Sequence, residues 1–337
     1  MASQERNLSL DLIKIAAMIG VMTLHVTVNF ENYDDWVSRY VFSMAGLSMP
    51  LFFMVSGYLM LGREVSFKYL ATKTFKIVKF VFLMCLLYWL CGWFGDRSWK
   101  SLLSNFVFSF IKGGKLSVFW YFGSIIICYW MLPLFNKIAK NRFAFRAILL
   151  SLFVLLSITW TMNLSGGFEA SIRQTFRLWN WFFYFLLGGF LKVVFQENKE
   201  LILHRWGGQI KYFKWVVLFL LGIVYMDIYL RVRPILDNSG IEYMFGCTLC
   251  VVIAIFVFVC FLTTEAMPQR IIGQLSSLFL PVYALHMQVI RLLKAEVFFL
   301  KFGDFAPFIE WSAVVFLTMT VSWILMKIPY VNRIFKI

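Results

Sequence analysis

The sequence predicts an all-α integral membrane protein with about ten transmembrane helices and with both its N-terminus and its C-terminus in the cytoplasm. Hydrophobic residues make up 61% of the 337 residues and charged residues only 15%. The mean hydropathy of +0.78 lies well above that of soluble globular proteins. The apolar residues occur in blocks of about 20, the length at which a helix crosses about 30 Å of hydrocarbon.

The apolar blocks predict helices because backbone polar groups inside lipid must be paired within their own segment. The strands of a membrane β-barrel would alternate apolar and polar residues, whereas runs such as 80–90 and 251–262 do not alternate. The predicted spans are 8–29, 41–62, 77–95, 116–136, 147–163, 178–191, 215–230, 243–263, 271–290 and 308–326.

Two further segments bear on the domain organisation. The stretch 101–111 is apolar but short, which predicts a re-entrant or interfacial helix. The first apolar block carries Asp11, Lys14 and His25 and has no small-residue cleavage site after it, so we expect it to remain as the first helix. No long polar stretch or linker interrupts the chain, and residues 1–337 are therefore predicted to form a single transmembrane domain without a separate soluble domain.

The distribution of lysine and arginine predicts which side each loop occupies. One alternating set of loops holds 18 lysines and arginines with 5 acidic residues, a net charge of +13, and the other holds 12 with 10, a net charge of +2. The positive-inside rule places the first set in the cytoplasm. That set comprises both termini and the loops 63–76, 137–146, 192–214 and 264–270.

The overall charge of +15 fits the anionic lipid surface of a cytoplasmic membrane better than a nucleic acid, because no basic segment lies in a soluble module. All six cysteines lie in or beside predicted spans, where thiols behave as small buried hydrophobes. Cys247 and Cys250 form a C-x-x-C pair, but no second pair or nearby histidine accompanies it, so we predict no metal site.

Three ionisable residues in the first span stand out, because charged side chains inside a membrane are costly and are usually functional. Asp11, Lys14 and His25 are separated by 3 and 11 positions, which places them along one face of a helix. Lys14 falls in the cytoplasmic half, with His25 about 16 Å further along. The alternative is that Asp11 and Lys14 pair at the headgroup edge while His25 is a buried packing residue.

A second histidine lies in the ninth span, which runs in the same direction across the membrane as the first. His286 is 15 residues beyond the start of its span and His25 is 17 beyond the start of its own, so the two are predicted to share a depth. Two imidazoles facing one cavity can take and relay a proton near neutral pH. Tyr283 lies one turn before His286 and is placed to orient it or a substrate. His204 lies in a charged loop and is predicted to be a solvated surface residue.

Collinear motifs resemble the membrane acyltransferase-3 family across nearly the whole chain. A basic residue and a histidine with ten residues between them, here Lys14 and His25, are one mark of that family. The other matching segments, in chain order, are P-L-F-F-M-V-S-G-Y at 50–58, Lys73-x-x-Lys76, the aromatic motif at 119–133, F-Y-F-L-L-G at 183–188, Ser276-Ser277 and Y-A-L-H at 283–286.

The chain also departs from the family pattern. Lys73 and Lys76 stand where arginine is commoner, and lysine keeps the charge but loses bidentate phosphate geometry. The fourth-span motif lacks the glutamates of family members that are fused to an extracytoplasmic domain, so no acidic partner of His25 is assigned. The chain is most similar to the stand-alone O-acetyltransferases of the family.

The resemblance implies an acyl-CoA-dependent O-acetyltransferase of the cytoplasmic membrane. It would move an acetyl group from cytoplasmic acetyl-CoA to a hydroxyl of a cell-surface or lipid-linked glycan. His25 would be the general base for the acceptor hydroxyl. Lys14 would stabilise negative charge on the donor or support the histidine, and Asp11 would pair with Lys14.

The phosphates of coenzyme A require cationic partners on the cytoplasmic side. Lys73, Lys76 and Lys79 supply a basic cluster at the start of the third span, and with the resemblance we assign them to donor binding. The alternative is ordinary positive-inside anchoring.

Other residues are predicted to line a cavity or to bind substrate, each with a packing alternative. Ser56 would line the site, although small residues in membrane helices also permit close packing. Trp120 and Tyr129 would stack on a sugar ring or belong to an interfacial aromatic belt. Arg173 and Arg177 would meet an anionic glycan or anchor to lipid headgroups.

Two other classes of protein remain open from the sequence. A proton-coupled transporter or flippase of a glycan-related solute also uses intramembrane Asp, Lys and His residues, and would show solute flux without acetyl-CoA. A structural or interaction membrane protein would use the polar stripe only to hold helices together.

Overall fold

The computed structural model describes residues 7–26, 30–32, 34–236, 240–264, 268–293 and 296–335, and every regular element in them is helical. The last positions of the first predicted span, 27–29, lie outside the described residues. The α-helices are α1 (Leu8–His25), α2 (Trp36–Ala45), α3 (Ser48–Met60), α4 (Phe67–Leu90), α5 (Trp99–Ser109), α6 (Trp120–Ala139), α7 (Arg142–Gly166), α8 (Leu178–Glu197), α9 (Lys199–Ile202), α10 (Phe213–Val232), α11 (Thr248–Leu262), α12 (Gln269–Ser277), α13 (Phe279–Leu293), α14 (Glu296–Phe299), α15 (Ala306–Lys327) and α16 (Pro329–Ile334).

Seven helical segments in the described part of the chain are long and apolar enough to cross a membrane. They are Leu8–His25, Trp36–Met60, Ser117–Ala139, Arg142–Gly166, Leu178–Glu197, Phe213–Val232 and Leu300–Lys327. Helices α12 and α13 together form an eighth candidate that is bent by 55°. The chain is therefore an all-helical, multi-pass membrane protein over its described residues.

The two remaining predicted spans are also helices, but they differ from a simple crossing. Helix α11 has 15 residues, which gives it a length of about 22 Å, shorter than the hydrocarbon layer. Helix α4 has 24 residues and is long enough, but three lysines occupy its first half. The count of about ten spans and the cytoplasmic position of both termini stay predictions. The short segment predicted at 101–111 is the 11-residue helix α5.

The starts of several helices follow from polar residues that cap free backbone N–H groups. Asn7, Ser66 and Asn141 accept from the backbone N–H three residues later, at 3.2, 3.1 and 3.0 Å, respectively. Helix α7 is terminated by the following residue, Gly167, whose φ of +66° is easy only for glycine.

The described chain divides into two compact units. The first comprises Met1–Val55 and Lys192–Asn332. In this unit α1 is central and packs against α2, α11, α12, α13 and α15. Gly20 allows α1 to approach the start of α3, because a Cβ at Gly20 would lie 2.1 Å from Ser48 Oγ.

The second unit comprises Ser56–Leu191 and Arg333–Ile337. Here α4 packs against α5 and α6, and α6 packs against α7. Gly57 permits the backbones of α3 and α8 to meet, because a Cβ on Gly57 would lie 1.7 Å from the carbonyl oxygen of Phe185. The prediction of one domain without a soluble part stays a prediction.

Candidate active site

Asp11 ties α1 to α12 in the first unit. Its Oδ1 accepts hydrogen bonds from Ser276 Oγ at 2.7 Å and from Lys14 Nζ at 3.3 Å. Asp11 is 3% exposed, whereas the side chain of Lys14 keeps 28% of its surface exposed. Burial of a carboxylate is tolerated when it is paired and hydrogen-bonded, and both partners are present here. Asp11 therefore holds two helices together and neutralises Lys14.

We expect Asp11 and Ser276 to be energetically coupled. A hydrogen bond to a charged group contributes about 1.5 to 3 kcal/mol, so Asp11→Asn and Ser276→Ala should each destabilise the protein, and the double variant should lose less than the sum. Thermal unfolding of the purified protein in detergent measures this. Ser277→Ala is the matched control, because Ser277 is exposed and its hydroxyl donates to Gln274 O within the same helix, at 2.6 Å. Additive losses would contradict the coupling.

The histidines of α1 and α13 lie side by side in the first unit. The ring centroids of His25 and His286 are 5.3 Å apart, and the ring planes are inclined at 37°. His25 is the last residue of α1 and is half-buried, while His286 is fully buried. The structure thus brings together two imidazoles that are far apart in the sequence.

A backbone contact fixes the tautomer of His286. Its Nδ1 lies 2.9 Å from the carbonyl oxygen of Tyr283. A carbonyl oxygen only accepts hydrogen bonds, so Nδ1 must carry the hydrogen and donate it. In the neutral ring Nε2 is then an acceptor. This Nε2 is buried, and no hydrogen-bond partner for it occurs among the described residues.

Helix α15 also contributes to the end of α1 that carries His25. Trp311 Nε1 donates to Thr23 Oγ1 at 2.9 Å, and Thr23 Oγ1 in turn donates to Ile19 O at 3.0 Å. The neighbouring Glu310 is 1% exposed. Glu310 was not among the site residues predicted from the sequence, although it is an acidic residue within the predicted span 308–326.

The polar residues of α1 form two separate clusters. Lys14 and His25 are 11 positions apart, which is about 16 Å along the helix axis. Asp11 contacts Lys14 and Ser276 near the start of α1, whereas His25 contacts His286 at its end. Lys14 and Asp11 therefore lie far from the imidazoles along the helix. Any effect of Lys14 on His25 through this helix would be long-range.

The second unit contains the predicted basic cluster on α4. Lys73 is half-buried, and its Nζ lies 5.3 Å from the ring centroid of Tyr129. Lys76 and Lys79 are exposed. A lysine ammonium is attracted to the face of an aromatic ring. The three lysines thus lie on one helix, with Lys73 placed by α6.

Three of the residues predicted to line a site also lie in the second unit, namely Ser56, Trp120 and Tyr129. Ser56 Oγ and Tyr121 Oη are 3.3 Å apart and share a hydrogen bond. Trp120 is 7% exposed, and its ring centroid lies 4.9 Å from that of Trp181. Trp120 therefore packs inside the protein in this structure. Tyr283, in the first unit, is buried beside His286, with ring centroids 6.0 Å apart.

Arg177 is buried, contrary to the expectation of a contact with a glycan or with headgroups. Its Nη2 donates to Glu169 O at 2.8 Å, and its Nη1 lies 3.6 Å from Glu169 Oε2. Asn163, Trp179 and Asn180 also donate to the carboxylate of Glu169, at 2.8 to 3.0 Å. A buried pair with this many hydrogen bonds holds the loop after α7 in place. The sequence alone does not show that the side chain of Arg177 is buried against Glu169.

His204 and Arg173 are both exposed. His204 lies within the π-helical segment Leu203–Gln209. The guanidinium of Arg173 lies 5.8 Å from the ring centroid of Phe108. In the residues that the structure describes, no group of three or more His, Cys, Asp or Glu side chains is arranged to hold a metal ion.

The fold and the site define a class: a multi-pass helical membrane protein whose first helix carries a histidine against a second, buried histidine. The chain belongs to the acyltransferase-3 family, because the family model for its acyltransferase domain matches residues 7–327. Searches of curated proteins and of solved structures gave no match. Family membership supports acyltransferase activity and a position in a membrane.

Proposed function

We propose that this protein is a membrane O-acetyltransferase that moves an acetyl group from cytoplasmic acetyl-CoA to a hydroxyl of a cell-surface or lipid-linked glycan. The cell envelope is the proposed setting, with the protein in the cytoplasmic membrane. Within the family, the chain most resembles the stand-alone O-acetyltransferases, such as the enzyme that acts on enterobacterial common antigen.

One observation carries the catalytic part of the proposal: His25, at the end of α1, lies beside His286. A sugar hydroxyl is a poor nucleophile at neutral pH, so a base must remove its proton as it attacks the thioester carbonyl. In the proposed reaction His25 takes this proton. The carbon–sulfur bond then breaks, and the imidazolium of His25 returns the proton to the sulfur of coenzyme A.

The donor part of the proposal rests on the second unit. Lys73, Lys76 and Lys79 supply three positive charges on one helix, and coenzyme A carries several phosphates. Acetyl is proposed as the acyl group because it is the common one in the family that this chain resembles. Lys14 and Asp11 have a supporting role in the proposal, since Asp11 pairs with Lys14 and joins α1 to α12 through Ser276.

A transfer assay tests the proposal. Purified protein in lipid vesicles is incubated with acetyl-CoA labelled in the acetyl group and with an extract of lipid-linked glycans. The expected result is label in the glycolipid fraction and one equivalent of free coenzyme A thiol. Solute movement that does not depend on acetyl-CoA, without labelled glycolipid, would instead support a transporter or flippase.

Removing the lysines of α4 should weaken donor binding. Lys73→Ala and Lys76→Ala are each expected to raise the dissociation constant of coenzyme A several-fold, and binding to the wild type should weaken as salt is added. Isothermal titration of the purified protein with coenzyme A measures both. Lys199→Ala is the matched control, because Lys199 is exposed and lies outside α4. Equal affinity for coenzyme A in all the variants would mean that the lysines of α4 only anchor the protein at the membrane surface.

A further inference from the structure

The unpaired nitrogen of His286 is the feature that the proposed reaction does not yet use. His286 is fully buried, and its Nδ1–H is donated to the carbonyl oxygen of Tyr283 at 2.9 Å. Its Nε2 is therefore an acceptor, and it has no hydrogen-bond partner within the described part of the chain. Buried acceptors are nearly always paired, so an unpaired one needs an explanation.

The surroundings of His286 suggest a partner for this nitrogen. The nearest proposed catalytic group is His25, whose ring centroid lies 5.3 Å from that of His286. The two rings are inclined at 37°, and no hydrogen bond to Nε2 of His286 is formed by His25 in this structure. A donor that arrives with the substrate, beside the hydroxyl that reacts at His25, would satisfy the buried nitrogen.

Sugars carry such a donor as an ordinary feature. Hydroxyls on adjacent ring carbons lie within reach of two neighbouring acceptors, and each hydroxyl has one hydrogen to donate. His286 Nε2 is one such acceptor, and its ring lies beside that of His25, the base of the proposed reaction. One hydroxyl would meet His25 and react, and the adjacent hydroxyl would donate to His286.

We propose that His286 Nε2 accepts a hydrogen bond from the hydroxyl next to the one that is acylated, so that the acceptor must be a vicinal diol. This inference rests on the proposed function, because it assigns the acceptor of the same reaction. His286 is then a specificity-determining residue. It selects the hydroxyl that reacts by holding the neighbouring hydroxyl.

The test begins with the product of the transfer assay. Its NMR spectrum identifies the acetylated carbon, and the neighbouring carbon should carry a free hydroxyl. A synthetic acceptor that lacks this neighbouring hydroxyl is then compared with the parent acceptor. For the wild type, kcat/KM is expected to fall about 10- to 100-fold with the deoxy acceptor, because the buried nitrogen is left unpaired.

Variants of His286 separate binding of the diol from a structural role. In His286→Phe the ring keeps its approximate shape but has no acceptor, so the parent and deoxy acceptors should give equal kcat/KM values. His286→Gln retains an acceptor oxygen and should recover part of the preference for the diol. If His286 had only a packing role, each variant would lose the same fraction of its activity with the parent acceptor as with the deoxy acceptor.

The outcomes also distinguish this inference from the proposed function. Transfer by the wild type with equal kcat/KM for the parent and deoxy acceptors would overturn the diol requirement and leave the acetyltransferase intact. An acetyl ester without a free hydroxyl on the adjacent carbon would do the same, as would a buried water that fills the site of Nε2. A wild type without any transfer would overturn both.

Discussion

Replacing His25 by alanine is expected to lower kcat for acetyl transfer by about 10²- to 10⁴-fold, the usual contribution of a general base. The base acts on the acceptor hydroxyl only during the chemical step, so the affinity for coenzyme A should stay close to that of the wild type. Initial rates with labelled acetyl-CoA and titration with coenzyme A measure the two quantities separately.

The chain offers a matched control for this substitution. His204 is exposed and lies outside both histidine-bearing helices, so His204→Ala should keep the full rate. His25→Ala must remain folded, which its thermal transition reports. A folded His25→Ala protein with an undiminished rate would remove His25 from the proposed mechanism.

Replacing Gly57 by alanine is expected to give the largest loss of stability. The added methyl group would lie 1.7 Å from the carbonyl oxygen of Phe185, and backbone cannot turn aside as a flexible side chain can. Overpacking of this kind costs about 1 to 3 kcal/mol, and a clash with backbone belongs at the upper end of that range. This exceeds the gain of about 1 kcal/mol that alanine brings to a helix.

The measurement is the midpoint of thermal unfolding, followed by size-exclusion chromatography of detergent-solubilised protein. Gly166→Ala is the matched control, since Gly166 is also a helical glycine of the second unit and a Cβ there would meet no atom within 4 Å. We expect a lower midpoint for Gly57→Ala and an unchanged or slightly higher one for Gly166→Ala. Equal midpoints would show that α3 and α8 separate easily at this position.

The sequence predicted the class of fold because hydropathy and helix length are local properties of the chain. Each of the ten predicted segments contains a helix in the structure, including the short helix α11 and the charged helix α4, although residues 91–95 of the third span follow the end of α4. The helix boundaries differ from those of the predicted spans where an N-cap residue sets the start of the helix. Ser66 caps α4, which begins ten residues before the predicted span. The number of helices that cross the membrane is not a local property. A bent or charged helix can lie within the membrane only where neighbouring helices satisfy its polar groups.

The candidate site was also predictable only where it depends on local properties of the chain. The contact between Asp11 and Lys14 could be read from their spacing on one helix, and the histidines could be recognised as unusual residues in apolar segments. Their meeting at 5.3 Å required α1 and α13 to pack together. The unpaired Nε2 required the carbonyl of Tyr283 to hold the other nitrogen of His286.

The sequence by itself determined that this chain is a helical membrane protein of the acyltransferase-3 type, since composition, helical spacing and collinear motifs are all properties of the linear chain. Only the tertiary structure decided which polar groups are partners. It paired Asp11 with Ser276, turned Arg177 inward to Glu169 and placed His286 beside His25. The physical reason is that each pair joins different elements of the fold, and the energy of a buried polar group depends on what the neighbouring element offers it.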